Sequence, residues 1–117
     1  MDYEIVPLGK PRMTQRDRWA KRPAVMRYRA FCDLVRANHV DIRPAGNDIT
    51  FVLPMPKSWS KKKKASMEGR PHQQTPDIDN ILKALLDAVH EDDAHIWQIS
   101  ARKIWGVTGK ITVEVKE

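Results

Sequence analysis

The spacing of apolar residues along this chain changes several times, and each change marks an element. Tyr3 to Leu8 alternates briefly and predicts an opening strand, ended by Gly9 and Pro11. The basic stretch from Lys10 to Arg22 has no period and reads as a surface loop. Pro23 suits a first helical turn, where its missing N–H would have no partner anyway. From there Val25, Tyr28, Phe31, Cys32 and Val35 recur at helical spacing and predict a helix to about Asn38. Asn47 to Met55 alternates again, with Ile49, Phe51, Leu53 and Met55 on one side, and predicts a strand stopped by Pro54 and Pro56. Ser58 is placed to cap a short basic helix running through Lys61 to Glu68 and closed by Gly69. A polar loop from Arg70 to Thr75 then leads to Pro76.

Ile78, Ile81, Leu82, Leu85 and Val89 fall at i, i+3, i+4, i+7 and i+11. That spacing predicts an amphipathic helix from about Asp79 to His90 with its apolar stripe buried, Asp79 and Lys83 sharing a different face. Ile96 to Trp105 predicts a strand with Trp97, Ile99, Ala101 and Trp105 on one side and Gln98, Ser100 and Arg102 on the other. A turn at Gly106 to Gly109 leads into Ile111, Val113 and Val115, and the two segments read as a hairpin.

At 117 residues the chain is expected to form one domain over 1–117, near the lower end of sizes at which a single core is comfortable. No apolar run approaches the roughly 20 residues a membrane span needs, and the N-terminus lacks the pattern of a secretory signal, so a cytoplasmic location is expected. The lone Cys32 sits among Val25, Tyr28, Phe31 and Val35 like a small buried hydrophobe.

Charge changes the picture. Twenty-one Lys and Arg against fifteen Asp and Glu give a net charge of +6, as expected of a protein that meets a polyanion such as DNA. The bases cluster, with Lys10, Arg12, Arg16 and Arg18 in one segment and Lys61, Lys62, Lys63 and Lys64 in another that follows Trp59. Phosphate contact is the reading preferred for both. Against this background six acids, Asp77, Asp79, Asp87, Glu91, Asp92 and Asp93, gather between Pro76 and Asp93 with Lys83 as the one base.

Asp77 and Asp79 stand two apart at a loop-to-helix junction, where extended backbone aims both carboxylates the same way. Two like charges about 4 Å apart repel by roughly 4 kcal/mol at an effective dielectric of 20. If Asp93, just before the next strand, returns toward Asp79, three carboxylates in one site must protonate or hold a cation. Hard oxygen ligands suit Mg2+ or Mn2+, which serve phosphodiester hydrolysis, and Lys83 one turn on is placed to steady the developing charge. A plainer reading stands beside this one on spacing alone. In it Asp77 or Asp79 caps the helix, Asp79 and Lys83 form an ordinary i,i+4 ion pair, and Glu91 to Asp93 is a solvated turn.

Other motifs are weaker. Asp77-Ile78-Asp79-Asn80 starts like a calcium loop but continues with Ile81 and Leu82 in place of a ligand and a glycine. Pro76-Asp77 with Glu114-Val115-Lys116 mimics a PD…ExK nuclease signature, with Glu114 on the exposed-looking side of a strand. His39, His72, His90 and His95 show no metal-ligand spacing and read as surface or ordinary polar residues.

Pro56-Lys57-Ser58-Trp59-Ser60 with the lysines after it, Pro76-Asp77-Ile78-Asp79-Asn80-Ile81-Leu82-Lys83-Ala84, Asp87-Ala88 and Asp92-Asp93-Ala94 together resemble the RusA family of Holliday junction resolvases. Gly9-Lys10-Pro11-Arg12 also looks like the basic segment after the first strand in phage and prophage members. The resemblance covers nearly the whole chain. It implies an α/β (α+β) fold, a small mixed sheet of about four strands with helices packed on it, and a homodimer. It further implies cutting of four-way DNA junctions with Mg2+ or Mn2+. Asp77, Asp79 and Asp93 would be the metal-binding acids, Asp92 a possible fourth, and Lys83 the catalytic lysine. One departure stands out, because the interval from Asp87 to Asp93 is several residues shorter than the family's. If the helix runs to His90, Asp93 has little chain with which to turn back, and a junction-binding module without cleavage is the alternative.

Overall fold

The computed structural model describes residues 1–11 and 22–116. Arg12, Arg16, Arg18 and most of the loop expected from Lys10 to Arg22 lie outside the described residues. In order the elements are β1 (Asp2–Tyr3), α1 (Pro23–Ala37), β2 (Asn47–Pro54), α2 (Lys61–Met67), α3 (Ile78–Val89), β3 (Ile99–Gly106) and β4 (Lys110–Val115). The four strands form one mixed sheet in the order β1-β4-β2-β3, and with the three helices they make an α+β fold of the kind expected.

The period-2 pattern of β2 is realised as burial. Ile49, Phe51 and Leu53 face one side and join Ile111 and Val113 of β4 in the core. The helices close that core with Val25, Tyr28, Phe31, Cys32 and Val35 from α1 and Ile81, Ala84, Leu85 and Ala88 from α3. Cys32 is buried there. The opposite face of the sheet is polar, and on it Arg102 donates to Asp48 at 2.9 Å and to the Thr50 hydroxyl at 2.8 Å.

Several expectations are corrected. β3 and β4 are not a hairpin, because β2 lies between them, parallel to β3 from Asn47–Ile99 to Pro54–Gly106 and antiparallel to β4. Two strand spacings are about 9.5 Å, and the four Cα steps from Gly106 to Lys110 reach farther than that. The connection therefore passes over the end of β2, where Pro54 and Pro56 supply no N–H to prolong the ladder. A three-residue link fits either topology, so local sequence could not choose. Of the strand expected over Tyr3 to Leu8 only Tyr3 joins the ladder, where Asp2 and Tyr3 pair with Thr112 and Ile111 of β4 and Met1 bonds Val113. Trp97, expected on one side of the strand with Ile99, Ala101 and Trp105, lies before β3 and is 77% exposed. Its N–H goes to Pro44 at 2.9 Å, outside the ladder. Ser60, not Ser58, caps α2, its hydroxyl accepting from Lys63 N–H at 3.1 Å.

The turn into β2 is tied by a buried side chain. Asn47 is 1% exposed, accepts from Arg43 N–H at 3.0 Å and donates to the carbonyls of Arg43 and Gln98 at 2.7 and 3.3 Å. Gly46 before it has φ +80°, and a Cβ there would lie 2.4 Å from the Lys116 carbonyl oxygen.

Candidate active site

The segment from Gly69 to His72 runs along the free edge of β3 and delivers the chain to the start of α3. Gly69 N–H bonds Trp105 O at 2.8 Å, Trp105 N–H bonds Arg70 O at 2.9 Å and His72 N–H bonds Lys103 O at 3.0 Å. The His72 ring packs against Trp105 at a tilt of 50°, ring centres 4.2 Å apart. It is 5% exposed, not the surface histidine expected from its polar neighbours, and its Nδ1 has no partner among the described residues. Burial holds its pKa below 6.5, and the Lys103 charge adds to this. Trp59 also packs on Trp105, its ring centre 4.8 Å away and tilted by 54°.

Beyond His72 the loop meets Lys103. Its ammonium donates to the carbonyl of Gln74 at 2.7 Å and to that of Pro76 at 2.8 Å. Pro76 O belongs to the peptide that carries the Asp77 N–H, so the lysine holds the strut from which Asp77 projects. Sequence reasoning missed this residue. The available signal was a charge at a core-side position of β3, in phase with Ile99, Ala101 and Trp105.

Asp77 is the N-cap of α3, yet its carboxylate makes no capping hydrogen bond, and Asp79 lies in the first turn. Asn80 and Ile81 N–H both bond the Asp77 backbone carbonyl at 3.1 Å. Both carboxylates border one open cleft of about 600 Å3, shared with Gln73, Gln74, Thr75, Ile78 and Lys103. Among the described residues no ion pair joins Asp79 to Lys83. Of the plainer account, the capping bond from Asp77 and the Asp79–Lys83 ion pair are not present among the described residues, whereas Glu91, Asp92 and Asp93 are exposed as that account has them. Both carboxylates stand at the positive end of the helix, with no side-chain hydrogen bond or ion pair to their oxygens among the described residues.

On its other side Asp77 borders a second cleft with Pro7, Leu8, Gly9, Thr75, Pro76 and Asn80. Gly9 sits so close that a Cβ would come 2.8 Å from the Asn80 side-chain nitrogen and 3.0 Å from Pro76 Cβ. Lys10 next to it pairs with Asp87 and lies over the Tyr28 ring, its Nζ 5.9 Å from the centroid. This base, expected at phosphate, is engaged inside the chain, and Asp87 is its partner.

The third acid stands elsewhere. α3 stays helical to Val89 with His90 as C-cap, which puts about 15 Å of helix axis between Asp79 and Val89 at 1.5 Å per residue. The chain then loops within reach of that end, since the His95 ring packs edge-on against the His90 ring at 4.9 Å. Asp93 is exposed and its carbonyl closes a turn onto Ile96 N–H at 3.0 Å. Asp92 accepts from Ala94 N–H at 3.0 Å. Among the described residues no three His, Cys, Asp or Glu side chains are grouped to hold a metal ion. Among the described residues Asp77, Asp79 and Asp93 thus do not form such a group, and α3 runs on to Val89 before the chain turns toward Asp93. Asp77 and Asp79 still fit Mg2+, which commonly takes one or two carboxylates and keeps water or substrate phosphate on its other positions. Glu114 lies on the polar face of β4, opposite Asp48 in register, so the PD…ExK set is not assembled.

Two carboxylates bordering one open cleft at the start of α3, on a small mixed sheet, are the features of the site that the fold assembles. The chain belongs to the Endodeoxyribonuclease RusA family, whose pattern it matches over residues 2–116. A similar protein is the "Uncharacterized protein YqaN" of Bacillus subtilis (strain 168), 29% identical over 129 residues, covering 97% of this chain and 91% of that one. No solved structure matches. Among the described residues no helix is long and apolar enough to cross a membrane.

Proposed function

We propose that this protein is a Holliday junction resolvase, a two-fold dimer that nicks four-way DNA junctions symmetrically by Mg2+- or Mn2+-dependent phosphodiester hydrolysis. The observation that carries the reading is an N-cap aspartate, Asp77, that does not cap and borders one cleft with Asp79. In this reading Asp77 and Asp79 hold the metal and Lys83, on the exposed side of the same helix, offsets charge on the phosphate. A bound divalent ion supplies a more acidic water and a counter-charge for the phosphodiester. Lys61, Lys62, Lys63 and Lys64 on α2 contact the backbone of the arms, as do Arg12, Arg16 and Arg18, while Lys10 acts as a tie to Asp87. Two symmetric nicks need two sites, which one copy of so short a chain does not offer. Asp93 enters a site from the second copy, since its own helix keeps it away from the first.

The test is cleavage of four-way, three-way and linear duplex DNA with Mg2+ or Mn2+, alongside binding in EDTA. Asp79→Asn is expected to abolish cutting and retain binding, because it removes a metal ligand and an anion facing DNA. Mixing inactive Asp79→Asn and Asp93→Asn chains then restores partial cutting if sites are shared between copies. The distance of Asp93 from the pair favours one other reading, a module that binds junctions without cutting. Tight junction binding with no cleavage by the wild-type protein in either metal would decide for it.

A further inference from the structure

We propose that Lys103 is a positioning residue for the metal-binding carboxylates, acting through the loop that presents Asp77 and not through substrate. The inference rests on the reading of Asp77 and Asp79 as metal ligands. Lys103 occupies an inward position of β3 between Ala101 and Trp105, where an apolar residue would ordinarily sit. Its backbone is fixed there on both sides, by pairing with Phe51 in β2 and by the bond from His72 N–H to its carbonyl. The stem therefore starts from a rigid strand. Its ammonium ends on the carbonyls of Gln74 and Pro76, committing two of its three N–H donors to backbone.

Those two carbonyls bracket Thr75 and Pro76, the residues directly before Asp77. Without a donor there they would turn to water and the loop would lose its register against β3. Asp77 depends on that register because its own side chain makes no capping bond to hold it. Among the described residues Lys103 makes no ion pair with Asp77 or Asp79, although all three border the same cleft. It thus leaves both carboxylates free while fixing the backbone beneath one of them. Groups that orient metal ligands in this way typically change metal affinity or activity by about 10- to 100-fold when removed.

The test uses the full chain with Lys103→Met, which keeps most of the stem and removes the ammonium, and Lys103→Arg, whose fork can reach two carbonyls. Hydrogen exchange across residues 73–80, Mn2+ binding to the free protein by paramagnetic resonance, junction binding in EDTA and cleavage are measured together. Lys103→Met is expected to speed exchange in 73–80 alone and weaken Mn2+ binding by about 10- to 100-fold. Junction affinity should stay within about twofold, and Lys103→Arg should recover much of the Mn2+ affinity. Wild-type exchange and Mn2+ affinity in Lys103→Met would overturn the proposal. So would a loss of junction affinity with Mn2+ binding intact, which would make Lys103 a phosphate contact. Should Lys103→Met fail to fold, Lys103→Leu, likewise without a donor, replaces it and is read in the same way. If the wild-type protein cuts no junction, the resolvase reading fails, whereas exchange and Mn2+ binding still report on Lys103.

Discussion

Replacing Trp59 with alanine should detach α2 from the fold without unfolding the rest. The helix has seven residues and none of them is buried, and helices this short are marginal in water by themselves. Its Ser60 cap contributes about 1 kcal/mol and would survive the change. The tilted ring contact of Trp59 with Trp105 is worth about 0.5–1.5 kcal/mol. Lys63, with its Nζ 4.3 Å from the Trp59 ring centre, adds about 0.5–1 kcal/mol. Removing both costs about 1–2.5 kcal/mol locally, a rise of roughly 5- to 70-fold in the opening of α2. Hydrogen exchange over residues 59–68 should quicken by that factor while α3 and β2 keep their protection. The consequence for DNA follows from helical geometry. Four consecutive lysines are spread over about 300°, so no more than about two can face one duplex arm. Loss of two phosphate contacts flattens the dependence of log affinity on log salt by about 1.8. Junction affinity measured in EDTA from low to moderate salt reads this slope directly. Faster exchange with an unchanged slope would refute phosphate contact by α2, and unchanged exchange would refute the anchoring role of Trp59.

Two further outcomes concern stability. Asn47→Ala removes three part-buried hydrogen bonds made by a fully buried side chain to backbone groups of Arg43 and Gln98 and should cost about 1–3 kcal/mol in urea unfolding, with the slope unchanged. His72 resists protonation in the fold, its pKa lying below 6.5, so the unfolded chain binds more protons on acidification. Its contribution is complete above pH 6.5 and is lost as pH falls from there through the lower folded value. His72→Gln should therefore show a shallower loss of stability over that window, and an identical pH profile would refute the account.

The sequence by itself determined what periodicity and residue chemistry encode. The helical spacing of Val25 to Val35 and of Ile78 to Val89 specified α1 and α3, and the alternation of Ile49, Phe51 and Leu53 specified β2, because burial of one face requires those periods whatever the topology. Pro76-Asp77 through Lys83 drew attention to the start of α3 for a chemical reason, since acids concentrated in a basic chain need a counter-charge. Pairing across distance was decided only in three dimensions. Whether β4 sits beside β3 or across β2 depends on which edge of β2 is free, and a three-residue link is compatible with either. The same holds at the site. Local sequence set Asp77 and Asp79 together, but the axial length of α3 sends Asp93 to the far end of the helix. Lys103 lies twenty-six positions after Asp77, and only the edge pairing of residues 69–72 with β3 brings its ammonium beneath the loop that Asp77 ends.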